Sequence, residues 1–311
     1  MLENLLILPL ALAIDILVGE YPDFLHPVAW MGHVISLLLK QAPSKGKLLQ
    51  MVYGGAMVVF TAALFAVPVF FLLGFLRDVS PAAYVIVGAL LLKSTFSLRT
   101  LYRLANDVKK LLENNKLVEA RKQTGYLVSR DTVKLDRGQV TSAIIEMISE
   151  SVTDSVVAPL FYWTLFGVPG AVVYRVVNTY DSRIGYRGQY EYLGKFAARL
   201  DDVLNYIPAR LAALLLVAAA FLLRKNGANA WHTMLRDRGR TASPNAGWTM
   251  AAAAGALDVR LEKPGHYRLG HAEEFPDTPA ISSGLRLVML SSLIFFGICI
   301  AVAGVWYALA A

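Results

Sequence analysis

Residues 57–76 read Met57-Val-Val-Phe-Thr-Ala-Ala-Leu-Phe-Ala-Val-Pro-Val-Phe-Phe-Leu-Leu-Gly-Phe-Leu76, twenty positions without a charge, and residues 287–311 hold none across twenty-five. As a helix, either run is long enough to cross a ~30 Å hydrocarbon core. The whole chain of 311 residues agrees with them. Hydrophobic residues reach 56% and charged residues 17%, whereas a soluble domain carries about 25% charged residues. The fold class that follows is all-α: a polytopic integral membrane protein with helical cytoplasmic loops, expected as a single membrane-embedded domain over 1–311.

Working outward, further candidate spans lie at 2–18, 81–98 and 206–223, beside 51–76 and 285–309. Residues 160–177 are apolar but interrupted by Gly167-Val-Pro-Gly170, a strong turn signal. The expectation there is a hairpin that dips into the membrane. Lys40, Lys45 and Lys47, and the basic set from Arg99 to Arg137, mark cytoplasmic loops. The polar loops 99–150, 178–205 and 224–282 cannot all share that side by a simple count of crossings. Residues 98–127 carry Leu101, Leu104, Val108, Leu111 and Leu112 at helical spacing, with a stop at Gly125. The net charge of +7 reads as basic loops and an anionic ligand. No basic run is interleaved with stacking aromatics, so no nucleic-acid partner is expected. Cys299 is the only cysteine, which excludes internal disulfides and a cysteine-based zinc cluster. The first residues lack the basic region of a secretory signal, so a retained first helix is expected.

The chemistry is expected around Ile144-Ile-Glu-Met-Ile-Ser-Glu-Ser-Val-Thr-Asp-Ser-Val-Val157. At 3.6 residues per turn, Glu146, Ser149, Glu150, Thr153 and Asp154 share one stripe, and Ile144, Ile145, Ile148, Val152 and Val156 cover the other side. Carboxylates at this spacing repel one another by a few tenths of a kcal/mol per pair, so a cation should compensate. A magnesium ion, an arginine or a substrate ammonium would serve, and Arg130 and Arg137 lie just upstream. Only neighbours, Glu146 with Glu150 or Glu150 with Asp154, are close enough to share an ion. A solvated helix face is the plainer alternative.

Other stretches carry candidate groups. Asp15, near the end of an apolar helix, is costly in lipid and marks either a site or an interfacial cap. Glu20, His26 before Pro27, and Trp30 follow it, with His26 either structural or catalytic; His33 is expected in packing. Arg175, Asn178 and Asp181 recur every three residues, so a helix presents them together, and Gly185 and Gly188 allow backbone amides to approach a ligand. For Arg183, Arg187 and Lys195 a juxtamembrane basic patch is the plainer alternative. Gly194-Lys195 followed by Phe196 does not make a phosphate loop. Asp201 and Asp202 with Asn205 suit a metal, an amine or a helix cap. Ser243 before Pro244 reads as a helix N-cap, and such an N-terminus is also a ready anion site. His266 and His271 read as surface residues.

Taken together and in order, Asp15 to Gly32, Ser129-Arg130-Asp131-Thr132, Glu150-Ser-Val-Thr-Asp154, Asn178-Thr-Tyr-Asp181-Ser-Arg-Ile-Gly185-Tyr186, Ala198-Arg-Leu-Asp-Asp202, Asn205-Tyr-Ile-Pro-Ala-Arg210 and Ser243-Pro-Asn-Ala-Gly-Trp248 resemble the CobD/CbiB family of cobalamin biosynthesis, the adenosylcobinamide-phosphate synthases. The likeness covers nearly the whole chain. Arg183 and Arg187 stand where methionine and lysine are commoner in that family. The resemblance implies a multi-pass enzyme of the prokaryotic inner membrane, active on its cytoplasmic face. Its reaction joins a carboxylate of the corrinoid adenosylcobyric acid to (R)-1-aminopropan-2-ol or its phosphate, with ATP consumed, magnesium as cofactor, and other late-pathway membrane enzymes as partners.

On that reading Glu146, Glu150, Asp154 and Asp181 are the catalytic candidates, and Glu150, Asp154 and Asp201 the metal ligands. Ser129, Arg130, Asp131, Thr132, Arg183, Arg187 and Ser243 are candidates for the nucleotide. Asp15, Glu20, His26, Trp30, Asn178, Tyr186, Asp202, Asn205, Asn245 and Trp248 are candidates for the other substrates, with Trp30, Tyr186, Tyr190 and Trp248 suited to pack on a macrocycle. A transporter, a membrane sensor or a non-catalytic corrinoid-binding protein is the rival, in which ionisable groups would line a path near the bilayer midplane.

Overall fold

The computed structural model describes residues 3–186 and 188–310, and in it the chain is helical almost throughout. In chain order the helices are α1 (Glu3–Leu17), α2 (Pro27–Lys40), α3 (Lys47–Val79), α4 (Pro81–Lys93), α5 (Leu98–Glu113), α6 (Leu117–Gly125) and α7 (Arg137–Val152). A π turn (Thr153–Val157) leads into α8 (Ala158–Ile184), followed by α9 (Lys195–Leu204), α10 (Tyr206–Leu222), α11 (Gly227–Asp237) and α12 (Ala246–Leu257). Two short antiparallel strands, β1 (Leu261–Lys263) and β2 (Tyr267–Leu269), precede α13 (Ala280–Ala310). Among the described residues four helical stretches are long and apolar enough to cross a membrane: Lys47–Val79, Pro81–Glu113, Arg137–Ile184 and Ala280–Leu309; α9 with α10, taken as one broken span, would make a fifth. The protein is a polytopic, all-α membrane protein.

Where one domain is expected, the contacts divide the chain into two compact units: residues 1–97, 158–205 and 296–311, and residues 98–157 and 206–295. In the first, α3 carries Phe60, Val67, Phe70, Phe71 and Phe75 exposed along its length, the surface a lipid-facing helix presents. Its other side is tied to α8, where Tyr180 shares a 2.8 Å hydrogen bond with Thr61 and lies 3.1 Å from the Met57 carbonyl. Gly54 permits that face to close, since a Cβ there would lie 2.0 Å from the Leu193 carbonyl oxygen. The turn signal in 160–177 falls where α8 breaks: Gly167 has φ 66°. Tyr162 and Tyr174 stack at 5.4 Å across the break, although an unbroken helix would separate residues twelve apart by about 18 Å. The segment is a helical hairpin.

The second unit is built around α7. Asp136 and Gln139 form a capping box at its start, and Ile144, Ile145, Ile148 and Val152 are fully buried. The helix expected over 98–127 stops at Gly125 but is split, because Asn115 adopts the left-handed conformation (φ 56°) and separates α5 from α6. α10 is alanine-rich and packs against α11 and α12, with Ala212, Ala213, Leu216, Ala219 and Ala220 buried; it is an inner helix of this unit.

Candidate functional site

The acidic stripe of α7 is not a solvated face. Glu146 is 2% exposed and Ser149 is fully buried, so α7 is enclosed around Glu146 on the side that carries its acids as well as on its apolar side, and the stripe reaches the surface only at Glu150. An ionised carboxylate survives there only with partners. Glu146 has three. Arg130, 10% exposed, forms an ion pair with its Oε2. Ser142, one turn earlier, donates to Oε1 at 2.7 Å, and Tyr267 of β2 donates to Oε2 at 2.7 Å. The strand pair closes the arrangement: the Glu262 carbonyl accepts from Arg130 at 3.1 Å, and the Glu262 amide donates to the Ser142 hydroxyl at 3.0 Å.

Electrostatics keeps the Arg130 and Tyr267 donors protonated. Burial alone would lower the Arg130 guanidinium, but the hydrogen bond and charge of Glu146 outweigh it and raise it above its ordinary value. Burial and the charge of Glu146 push the Tyr267 phenol far up, so it remains a donor. Arg130 is therefore the cation that the carboxylate spacing calls for. It is paired with Glu146, so in this structure Glu146 is held as an anchor and Arg130 is its counter-ion. The other members of that loop hold its shape. Asp131 accepts the Val133 amide at 2.9 Å, Thr132 donates to the Arg121 carbonyl at 2.8 Å, and the Ser129 carbonyl accepts from Lys263 at 3.2 Å.

One turn beyond the anchor, Glu150 is exposed, and Asp154 is half-buried within the π turn. π turns inside helices are frequent at functional sites because they displace side chains from the regular face. Among the described residues no group of three or more His, Cys, Asp or Glu is arranged to hold a metal. The donors fit an ion that keeps water or phosphate oxygens beside one or two carboxylates, as magnesium does.

The first unit holds two further clusters. In one, Asp201 is buried beneath two carboxamides, accepting from Asn205 at 2.9 Å and Asn178 at 3.3 Å, while Tyr174 donates to Asn205 at 2.9 Å. In this structure Asp201 is thus engaged by carboxamide donors. Asp181 and Asp202 are half-buried near it, Asp202 lying 3.5 Å from Arg199. The Gly185 amide is taken by the Asp181 carbonyl at 2.8 Å and so is not offered to a ligand. Arg183 reaches α2, donating to the Gly32 carbonyl and to Ser36 at 3.2 Å, which makes it a packing contact rather than a phosphate ligand. Tyr186 is exposed. Arg187 lies outside the described residues.

The other cluster contains a residue the sequence reading missed. Lys93, at the end of α4, is fully buried, 3.2 Å from the equally buried Asp15 and 3.1 Å from Glu20. Glu20 also accepts from Ser97 and from His26 Nε2 at 3.0 Å, and His26 Nδ1 accepts the Val28 amide at 3.2 Å, capping α2. Burial alone would raise the Glu20 carboxyl, but His26, Ser97 and Lys93 together hold it well below the usual carboxylate range. His26 is thus structural, and Trp30 is exposed with its indole N–H on the Phe24 carbonyl at 2.9 Å. A lone lysine closing an apolar run was the available signal for Lys93; Tyr267 had none.

At the start of α12, Ser243 acts as a local cap in a different register from the one expected. The helix begins at Ala246, and the Ser243 hydroxyl accepts the amides of Asn245 at 3.2 Å and Ala246 at 3.4 Å. Those two amides are turned inward to Ser243. Asn245 accepts from Arg210 at 3.0 Å, and Trp248 lies beside Arg210 and Arg238.

The family model described as CobD/Cbib protein matches residues 8–288. A cobalamin biosynthesis protein CobD from Dehalococcoides mccartyi (strain CBDB1) is 54% identical over 86% of this chain and 87% of its own length. Probable cobalamin biosynthesis proteins CobD from Methanothermobacter thermautotrophicus and Methanocaldococcus jannaschii are 42% and 39% identical, over 93% and 86% of this chain and 94% and 88% of theirs. No solved structure matches.

Proposed function

Because the chain belongs to the CobD/Cbib family and acts in cobalamin biosynthesis, we propose that it is the ATP-dependent amide synthase that joins adenosylcobyric acid to (R)-1-aminopropan-2-ol or its phosphate. A carboxylate cannot expel oxide, so one of its oxygens first takes a phosphoryl group from ATP as ADP leaves. The amine nitrogen then attacks the carbonyl carbon, gives up a proton, and phosphate departs with the carboxylate oxygen. Such transfers depend on positioned charge more than on a protein nucleophile.

The observation that carries this reading is the contrast along α7. Glu146 is locked by Arg130, Ser142 and Tyr267, and one turn on, Glu150 is presented at the surface with Asp154 in the π turn behind it. The anchor fixes the helix, and Glu150 is the group that meets the incoming ammonium and removes its proton. Magnesium, which neutralises phosphate charge when bound, would rest on Glu150 or Asp154. Asp181 and Asp202 offer a second pair of carboxylates for the amine or metal. The active face is the cytoplasmic side of the prokaryotic inner membrane, with the Gly167 hairpin entering and leaving the bilayer on one side.

Purified protein incubated with adenosylcobyric acid, ATP, magnesium and aminopropanol phosphate should yield the amide only when ATP is present. Glu150→Gln should retain the wild-type melting profile and lose at least 100-fold in turnover, the scale of a general base. Full activity in that variant would remove the stripe from the mechanism, and absence of ATP-dependent amide from the wild-type protein would sink the function.

A further inference from the structure

The run Arg236-Asp-Arg-Gly-Arg240, between α11 and α12, carries three arginines around one acid. Asp237 is fully buried and takes the two outer ones: Arg236 donates to it at 2.7 Å and 2.5 Å, and Arg240 Nε lies at 3.1 Å, with the Gly270 amide adding a bond at 3.0 Å. Arg238 is left out. Among the described residues it forms no ion pair, and its guanidinium sits 4.6 Å from the centre of the Trp248 ring. Arg210 of α10, also without an ion pair, lies 4.7 Å from the same ring. Arg210 is stacked 3.5 Å over Tyr206 as well and is held by Asn245 at 3.0 Å.

Two cations are thus gathered on one indole, their central carbons no more than about 9 Å apart. Stacking engages the flat face of a guanidinium; Arg210 also donates Nη1 to the Tyr206 carbonyl at 2.5 Å and to Asn245 at 3.0 Å, and the N–H groups beyond those are the part that matches phosphate oxygens. Placement is enforced by the backbone: a Cβ at Gly247 would lie 2.2 Å from the Arg238 carbonyl oxygen, so the loop is pressed onto the first turn of α12. The Ser243 hydroxyl already takes the Asn245 and Ala246 amides, and the two side chains supply the cationic donors.

We propose that Arg210 and Arg238, aligned by Trp248 and Asn245, form a binding site for a phosphate group of a soluble substrate, a nucleotide polyphosphate tail or a phosphate monoester. The inference rests on the proposed phosphoryl chemistry and gives it a location in the second unit. A lipid headgroup offers the same oxyanion, and the test separates the two sources. Full-length protein in phosphatidylcholine nanodiscs is titrated calorimetrically with inorganic tripolyphosphate, and the titration is repeated in discs containing phosphatidylglycerol. Saturable binding is expected in both, weakened at least tenfold by Arg238→Gln and by the charge-conserving Arg210→Lys, and unchanged by Lys122→Gln at an exposed site. Each variant is used at a melting temperature matching the wild type; Arg210→Lys serves if Arg238→Gln does not fold.

No saturable binding, binding that survives both substitutions, or an equal loss in Lys122→Gln would overturn the site. Loss of tripolyphosphate binding only in the anionic discs would assign it to a lipid headgroup and overturn the soluble substrate. Protein that binds tripolyphosphate through these arginines but forms no amide would leave the site standing and remove the amide reading. Amide formation with an unaltered KM for ATP and for the phosphorylated amine in both variants would do the reverse.

Discussion

Removing Arg130 should be far more damaging than removing any exposed charge of α7, and the structure sets the size of the effect. Glu146 is 2% exposed and Arg130 10%, so their ion pair is not screened as a surface pair is. Losing one partner of such a pair leaves an uncompensated buried charge, at a cost of about 3–5 kcal/mol. Arg130→Met keeps most of the volume but leaves Glu146 with only the hydroxyl donors Ser142 and Tyr267. It should lie at the upper part of that range, because the Glu262 carbonyl loses its donor too. Glu146→Leu should cost a similar amount by stranding the guanidinium. The double variant should recover much of the loss, with a coupling of at least about 2 kcal/mol in a double-mutant cycle. The assay is reversible unfolding in mixed detergent micelles, followed by far-ultraviolet circular dichroism. Additive losses, or an Arg130→Met variant destabilised by less than about 1 kcal/mol, would refute the anchor and return Glu146 to the list of available acids.

Three more outcomes follow from the geometry. Lys93→Met should destabilise the protein by about 3 kcal/mol or more, since it strands buried Asp15 beside Glu20; recovery in Lys93→Met with Asp15→Asn would confirm the cause, and a neutral single variant would reject it. Gly54→Ala should cost about 1–3 kcal/mol of overpacking, because its Cβ would fall 2.0 Å from the Leu193 carbonyl oxygen; an unchanged melting temperature would mean α3 sits farther from that loop. Asp237 is held below its ordinary value of 3.8: burial alone would raise it, but Arg236, the Gly270 amide and Arg240 outweigh that. Because its folded value is the lower one, it contributes stability at neutral pH that disappears as pH falls below that ordinary value. Unfolding profiles from pH 7 to pH 3 should therefore be flatter in Asp237→Asn than in the wild type, and equal slopes would contradict the assignment.

What could be read from the chain alone follows from where the deciding forces act. Uncharged runs such as 57–76 are local and report a membrane protein directly. The carboxylates of α7 also state locally that a cation is needed, and Arg130 answers. A helical wheel gives the face of a residue but not what covers it, so it could not separate Glu146, sealed under β2, from exposed Glu150. Tyr267 and the strand pair that delivers it were invisible because three-residue strands carry almost no periodic signal. Asn115 split a periodic helix through its backbone, against an unbroken apolar pattern. Lys93 closes α4, and its partners Asp15 and Glu20 lie more than seventy positions away, so no local pattern pairs them. For Asp201, the adjacency of two aspartates suggested metal, and the wheel did not show that Asn205, one turn on at the end of the same helix, and Asn178 of α8 both donate to it.

The most direct test of the central claim, that the corrinoid carboxylate is activated by phosphoryl transfer before the amine attacks, is to follow oxygen. Adenosylcobyric acid labelled with oxygen-18 in the reacting carboxylate is turned over with ATP, magnesium and the amine, and the released inorganic phosphate is analysed by mass spectrometry. One labelled oxygen in the phosphate for each amide formed is the predicted result. Label appearing in AMP instead, or remaining in neither product, would contradict it.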